Sequence, residues 1–137
     1  MAKKFSIDIS VRFRDIDAMG HVNNSVYFTY FEEGRKEFYH TLIGISGIED
    51  IDFILAHIQC DFHKPITIND PLAVRLWIND VGKKRFNFEY ELINRDDDSI
   101  IYARGHSVQV FFDYQKNKTK PVSKKFLEKV SDYIHQT

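Results

Sequence analysis

The sequence predicts an α+β fold in which one face of a curved antiparallel sheet packs on an amphipathic helix. An apolar residue stands at every odd position of residues 5–13, which is the period of a half-buried strand. The period changes to that of a helix over residues 27–43. Four strand-like segments follow, and because short turns separate them we expect antiparallel pairing.

The helical segment 27–43 is expected to form about four turns. Its broad apolar stripe contains Tyr27, Tyr30, Phe31, Gly34, Phe38 and Leu42. Asn23, Asn24 or Ser25 can cap the start, and Gly44 with the G-I-S-G segment is expected to end the helix. So broad an aromatic stripe requires a large apolar surface to cover it.

The segments predicted as strands after this helix are 53–64, 72–81, 85–94 and 99–114. A closing helix is expected from Ser123, with its apolar side formed by Phe126, Leu127, Val130, Tyr133 and Ile134. The element order is therefore β-α-β-β-β-β-α. A single sheet leaves an edge strand or a face uncovered, so we expect the chain to pair with another subunit.

Length and composition indicate a single folded domain over residues 1–137, with 43% hydrophobic and 15% aromatic residues to fill a core. Nineteen Lys and Arg against twenty Asp and Glu argue against a polybasic nucleic-acid or membrane binder. The sequence shows no signal-peptide-like or membrane-spanning apolar stretch, so we expect a cytoplasmic protein. The single cysteine, Cys60, excludes an intrachain disulfide.

The most informative segment, residues 14–24, lies between the first strand and the helix. The first N–H groups of a helix are unpaired and favour negative charge, so this end can stabilise an oxyanion. Asp17, His21, Asn23 and Asn24 all fall within eight residues of it. An acid/base group and preformed donors can therefore meet at one point, which suits acyl transfer.

The same residues also fit purely structural roles. Asp15 and Asp17 are carboxylates that favour a helix start, and His21 fits a hydrogen-bonded structural histidine. Asn23 and Asn24 are residue types typical of turns and caps. Spacing alone does not decide between these interpretations.

The string R-F-R-D-I-D-A-M-G-H-V-N-N-S-V-Y-F-T-Y-F-E-E-G-R resembles the signature of hotdog-fold thioesterases of the 4-hydroxybenzoyl-CoA thioesterase type. The resemblance continues through D-F-H-K-P-I, G-K-K-R-F-N-F-E-Y-E-L and Y-A-R-G-H-S-V-Q-V-F-F-D, in the family's order. Its most specific part is D-x-D-x-x-G-H-V-N-N-x-x-Y. It implies a hotdog fold, a curved antiparallel sheet wrapped around a long central helix.

The resemblance further implies that Asp17 is the catalytic carboxylate, acting as general base or as nucleophile. It places the backbone donor for the thioester oxygen at Asn24. It also implies homodimers or homotetramers with the active site between subunits. No cofactor is expected, because coenzyme A is part of the substrate.

The sequence departs from the 4-hydroxybenzoyl-specific enzymes at His21, Asn23 and Asn24. These residues bring it closer to the H-V-N-N pattern of fatty-acyl thioesterases, including plant acyl-carrier-protein enzymes. Those enzymes carry an asparagine two residues after the aspartate, where this chain has Met19. His21 therefore stays open as a catalytic partner, and with Asn23 it is expected to shape the loop or to hydrogen-bond near the carbonyl.

Lys83, Lys84 and Arg85 form a basic cluster in a hairpin. Such runs are usually solvated turns, but basic side chains at a pocket mouth also bind the phosphates of coenzyme A, and related enzymes carry basic residues here. Tyr27, near the helix start, belongs to the core by default and can also line an acyl pocket. No metal is expected, because the histidines show no metal-ligand spacing.

The sequence therefore predicts an acyl-CoA thioesterase that hydrolyses a thioester, of a fatty acyl group by preference, to a carboxylic acid and CoA. One alternative is a non-catalytic acyl-CoA or acyl-carrier binding protein on the same fold. Another is an acyl-ACP thioesterase. Asp17 separates hydrolysis from binding, because a pure binder gains nothing from a carboxylate aimed at the carbonyl.

Overall fold

A computed structural model describes residues 2–45, 47 and 51–135 of the chain. The strands are β1 (Phe5–Ile9), β2 (Phe53–Phe62), β3 (Leu72–Val81), β4 (Arg85–Asn94), β5 (Ile101–Asp113) and the two-residue β6 (Lys118–Thr119). The helices are α1 (Asn24–Ile43) and α2 (Lys124–Val130), with short 3-10 turns at Phe13–Asp15 and Ser131–Tyr133. The strands pair antiparallel in the order β1-β3-β4-β5-β2, and β6 pairs with the end of β5. The predicted α+β class and its antiparallel sheet are confirmed.

The predicted bounds hold for β3 and β4 and fail elsewhere by a few residues. β1 ends at Ile9 and not at Phe13, because the chain turns into the 3-10 helix and leaves Phe13 exposed. β2 ends at Phe62, two residues early. β5 begins at Ile101, because Ser99 is held in a turn by the side chain of Asp97.

Helix α1 spans 20 residues, or about five and a half turns. It is longer than the four turns that periodicity predicted. It is nevertheless of moderate length, so the long central helix that the resemblance implied is not found. Asn23 caps its start, and Gly44 ends it in the left-handed conformation at φ 79°. Ser46 of the expected G-I-S-G stop lies outside the described residues. No helix among the described residues has the length and hydropathy that a membrane crossing needs.

Helix α1 packs along one face of the sheet. Phe31 stacks on Tyr90 with ring centroids 4.5 Å apart, and Phe38 meets Phe88 edge to face at 5.0 Å. At its amino end Tyr27 meets Phe62 of β2 at 4.8 Å, and at its carboxyl end Tyr39 meets Phe53 at 4.7 Å. The helix therefore runs the length of β2, with its amino end beside the end of that strand.

Strand β2 forms one edge of the sheet. Among the described residues its only pairing partner is β5. It is ten residues long, and Ile54, Leu55 and Phe62 on it are 38%, 45% and 45% exposed. A long edge with apolar side chains is a template for pairing with another chain.

We expect Gly105→Ala to destabilise the fold by about 1–3 kcal/mol, because the added methyl group would overlap the ring of Phe31 between helix and sheet. Denaturant unfolding measures this. Gly82→Ala is the matched control, since its methyl group would meet only the flexible side chain of Arg85. Equal stability of the two variants would show that Phe31 of α1 does not pack against Gly105 of β5 as closely as described.

Candidate active site

Residues 16–22, here called the Asp17 loop, form a miniature hairpin before α1. Ile16 and Val22 bridge antiparallel, and the Asp17 N–H donates to the His21 carbonyl at 2.8 Å. Gly20, at φ 82°, closes the turn by donating to the Asp17 carbonyl at 3.1 Å. Val22 N–H also donates to the Ile66 carbonyl at 2.8 Å. The loop is thereby held by its own backbone and by the chain beyond β2.

The Asp17 carboxylate is fixed inside this loop. Its Oδ1 accepts the backbone N–H of Met19 at 2.9 Å and of His21 at 3.2 Å. No described residue donates a hydrogen bond to its other oxygen, Oδ2. Asp17 is half-buried. It is therefore an oriented carboxylate with one oxygen available to a ligand.

Asp15 has a different environment, although only two residues away. It is 2% exposed, and its Oδ2 accepts the Tyr30 hydroxyl at 2.8 Å and the Arg12 N–H at 3.0 Å. Its Oδ1 accepts Arg12 Nη2 at 3.1 Å. Burial by itself would raise the pKa of Asp15, but the bonds from Arg12 and Tyr30 outweigh it and leave this pKa below its ordinary value. Asp15 is thus a structural carboxylate that ties the loop to α1.

The start of α1 offers an unused backbone donor. Asn23 Oδ1 accepts the N–H of Ser25 at 3.0 Å, and the Asn23 carbonyl accepts that of Val26 at 2.9 Å. No described residue accepts from the N–H of Asn24, which opens the helix. Asn23 therefore acts as the cap through its side-chain oxygen, and Asn24 N–H is free to meet a ligand oxygen.

His21, in the Asp17 loop, and Tyr27, on α1 just after it, contribute to the site in different ways. His21 uses its backbone to hold Asp17, and its half-buried ring forms no hydrogen bond with a described residue. Tyr27 is buried and its hydroxyl donates to the Lys64 carbonyl at 3.5 Å. Burial, with smaller contributions from Cys60 and Asp17, raises the pKa of Tyr27. Tyr27 thus stays neutral beside the carboxylate.

The basic cluster lies at the opposite end of the sheet. The Lys84 carbonyl accepts the N–H of Phe111, which is paired with Phe53 at the start of β2, whereas Tyr27 lies beside Phe62 at its end. Nine residues of strand separate these ends, which is about 30 Å. One chain therefore does not bring Lys83 or Lys84 to Asp17.

The members of the cluster also differ in their partners. Arg85 pairs with Asp80 at 3.0 Å and donates to Asn87 Oδ1 at 3.1 Å. Lys84 Nζ donates to Thr119 Oγ1 at 3.2 Å, and Lys83 is exposed. Lys83 and Lys84 are thus better placed than Arg85 to bind an added phosphate.

Cys60 and the histidines do not form a further reactive centre in the described part of the chain. Burial raises the pKa of the Cys60 thiol to about 12, which keeps it protonated. No group of three His, Cys, Asp or Glu side chains suited to a metal ion occurs among the described residues.

Arg12 and Tyr30 are the two site residues that the sequence interpretation missed. The three-residue spacing from Arg12 to Asp15 is a usable signal, because it fits a capping pair around a single turn. Periodicity places Tyr30 on the apolar stripe of the helix but does not show where its hydroxyl points.

A family model for the thioesterase-like superfamily matches residues 11–130. A predicted thioesterase from Bacillus stearothermophilus has a similar structure, with a TM-score of 0.89 and 20% identity over 98% of this chain and 99% of that one. A thioesterase from Thermus thermophilus, complexed with coenzyme A and Zn, has a TM-score of 0.79 and 25% sequence identity, covering 91% of this chain and 90% of that one. The chloroplastic acyl-acyl carrier protein thioesterase ATL3 of Arabidopsis thaliana is 28% identical over 89% of this chain and 64% of that protein. The hotdog fold implied by the resemblance is confirmed.

We expect Asp15→Asn to lower the free energy of unfolding by about 1–3 kcal/mol, because it weakens charged hydrogen bonds to Arg12 and Tyr30. The folded-state pKa of Asp15 is depressed, so its stabilisation is present above the ordinary value of 3.8 and is lost as pH falls through the lower folded value. Urea unfolding of both proteins from pH 7 down to below pH 4 measures this.

The difference in free energy of unfolding between wild type and Asp15→Asn should therefore become smaller as the pH falls below 4. Asp8→Asn serves as the control, because Asp8 is 72% exposed in its side chain and its one ion pair spans 4.0 Å. A difference in free energy of unfolding that stays constant with pH would show that the Asp15 charge does not stabilise the loop.

Proposed function

This chain belongs to the thioesterase-like superfamily, and we propose that it hydrolyses the thioester bond of an acyl-CoA. One observation carries the proposal. The Asp17 carboxylate is held by two backbone amides, with one oxygen available, in the loop that leads into a helix whose first N–H has no acceptor among the described residues. A carboxylate can supply the base or nucleophile that acyl transfer needs, and the helix N–H can supply the oxyanion donor.

In the proposed reaction the Asn24 N–H donates to the thioester carbonyl oxygen and stabilises the negative charge that develops there. Asp17 either takes a proton from the attacking water or attacks the carbonyl carbon itself to give an anhydride that water then cleaves. In both routes the C–S bond breaks, the thiolate of CoA leaves, and the acyl group becomes a carboxylic acid. No cofactor is required in this scheme.

The other predicted site residues have supporting parts. His21 and Asn23 shape the site through the backbone and the cap, and Tyr27, which packs on Phe62 of β2, is a neutral group near Asp17. The substrate class is supported by the relative that is complexed with coenzyme A. The acyl-ACP alternative is supported by the Arabidopsis relative, and a non-catalytic binder is disfavoured by the oriented Asp17.

We further propose that the active site forms between two subunits. The free edge of β2 can pair antiparallel with β2 of a second copy, which would set the end of one strand beside the start of the other. That arrangement would bring Lys83 and Lys84 of one subunit toward Asp17 of its partner, where they would bind CoA phosphates. Two such dimers can associate further into a tetramer.

We expect Asp17→Asn to reduce thioester hydrolysis about 100- to 10,000-fold with the fold intact, because the amide neither accepts a proton nor attacks. Thiol release from short, medium, long-chain and aromatic acyl-CoAs measures this and ranks the substrates. Asp96→Asn, in an exposed turn, is the control. Saturable binding without turnover by wild type would favour the binding protein or a carrier-protein substrate.

Mixing two inactive or weakened variants tests the shared site. Asp17→Asn subunits and Lys83→Ala/Lys84→Ala subunits should together regain activity, because each mixed dimer would contain one site with both a native Asp17 and native lysines. The measurement is thiol release after co-refolding, compared with each variant alone. If the activity of the mixture never exceeds the average of the two variants alone, either Asp17 and the lysines act within one chain or the lysines are not part of the site.

A further inference from the structure

The side-chain amide of Asn23 has a fixed orientation at the start of α1. Its Oδ1 accepts both the backbone N–H of Ser25 at 3.0 Å and the Ser25 hydroxyl at 2.9 Å. An NH₂ group cannot accept a hydrogen bond, so the atom on which these two donors converge is the amide oxygen. The amide nitrogen, Nδ2, is therefore turned away from Ser25.

Nδ2 of Asn23 carries two N–H donors, and no described residue accepts a hydrogen bond from either of them. The chain on both sides of Asn23, residues 2–45, is described throughout. The backbone of Asn23 is engaged, because its N–H donates to the Asp15 carbonyl and its carbonyl accepts the Val26 N–H, both at 2.9 Å. A helix cap uses only the side-chain oxygen, so the exposed NH₂ group is available to a ligand.

The backbone pairing of the Asp17 loop places Asn23 on the same side as Asp17. The Asp17 N–H donates to the His21 carbonyl at 2.8 Å, and Ile16 and Val22 form the adjacent bridge. Side chains alternate between the two faces of paired strands. Asp17, His21 and Asn23 therefore share one face of the loop. Val22 lies on the other face and is only 2% exposed, which agrees with this alternation.

The same pairing sets the separation of Asp17 and Asn23. Asp17 pairs with His21, and Asn23 follows His21 by two residues, so Asp17 and Asn23 are diagonal neighbours. The Cβ atoms of diagonal neighbours are about 7 Å apart. A thioester carbonyl fits between two side chains at this separation, with its carbon toward the Asp17 carboxylate and its oxygen toward the amide of Asn23.

We propose that the side-chain amide of Asn23 is a second oxyanion donor, which binds the thioester oxygen together with the Asn24 N–H. The inference rests on the proposed thioesterase function and adds a catalytic residue to it. When water or Asp17 attacks the carbonyl carbon, an electron pair of the C=O bond moves to the oxygen, and it returns as the C–S bond breaks. Because Ser25 orients the amide before the substrate arrives, this donor stabilises the charge without reorganisation.

The test separates the donor from the cap, because Ser and Asp cap a helix about as well as Asn but have no NH₂ group. Asn23→Ser should keep the stability of wild type and lower kcat about 100-fold, with KM within about threefold. Asn23→Asp should lower kcat at least as far, since its carboxylate repels the oxyanion. Ser123→Ala is the control: it removes the cap of the other helix, α2, and should lower stability without changing kcat.

Binding of two CoA ketones, followed by calorimetry, separates this inference from the thioesterase proposal. A nucleophile converts the activated carbonyl of trifluoroacetonyl-CoA to a tetrahedral oxyanion, whereas acetonyl-CoA stays a ketone. Wild type should bind trifluoroacetonyl-CoA at least about tenfold more tightly than Asn23→Ser does, and the two proteins should bind acetonyl-CoA within about threefold of each other.

The outcomes distinguish the two proposals. Equal binding of trifluoroacetonyl-CoA by wild type and Asn23→Ser, or an unchanged kcat in Asn23→Ser, would overturn the role of Asn23 and leave the proposed hydrolysis standing. No turnover of any thioester, with the difference in trifluoroacetonyl-CoA binding intact, would overturn the proposed function and retain the donor.

Discussion

The buried Asp15 carboxylate is the contact on which the site depends. Its side chain joins the 3-10 turn, through Arg12, to helix α1, through Tyr30. The backbone carbonyl of Asp15 also accepts the N–H of Asn23, the helix cap, at 2.9 Å and so closes the loop between them. Because these bonds fix where the loop leaves the turn and enters the helix, they also fix where Asp17 and the Asn24 N–H lie. The carboxylate that we propose to be reactive, Asp17, is therefore held in place by a buried structural carboxylate two residues away.

The second constraint is the length of the sheet. Helix α1 lies along β2 from Phe62 to Phe53, so the Asp17 loop and the basic hairpin occupy opposite ends of one chain. Any use of both in one site requires a second copy, and the free edge of β2 is available for it.

The sequence was sufficient for the class of fold and for elements with clear periodicity. β3 and β4 have the predicted bounds because alternation and turn residues agree there. β1 was predicted too long because the apolar alternation persists through Phe13, after the backbone has already turned into a 3-10 helix and left that ring in solvent.

Within the site, residue type alone does not show whether Asp15 or Asp17 is the candidate catalytic carboxylate, and only the family resemblance selects Asp17. The structure shows the physical difference between them. Asp15 is buried and accepts hydrogen bonds from Arg12 and Tyr30, whereas Asp17 is half-buried and has one carboxylate oxygen without a donor among the described residues. Lys83 and Lys84 were associated with the site from sequence, but their distance from Asp17 follows only from strand register.

The most direct test of the central claim is the amide resonance of Asn24 in the Asp17→Asn protein, followed by ¹H–¹⁵N NMR as a slowly hydrolysed acyl-CoA is added. If the helix start binds the thioester oxygen, that N–H should shift strongly and exchange more slowly with solvent at saturation, more than the neighbouring amides of Ser25 and Val26, which already have acceptors. Saturable binding that leaves the Asn24 amide unchanged would contradict the account.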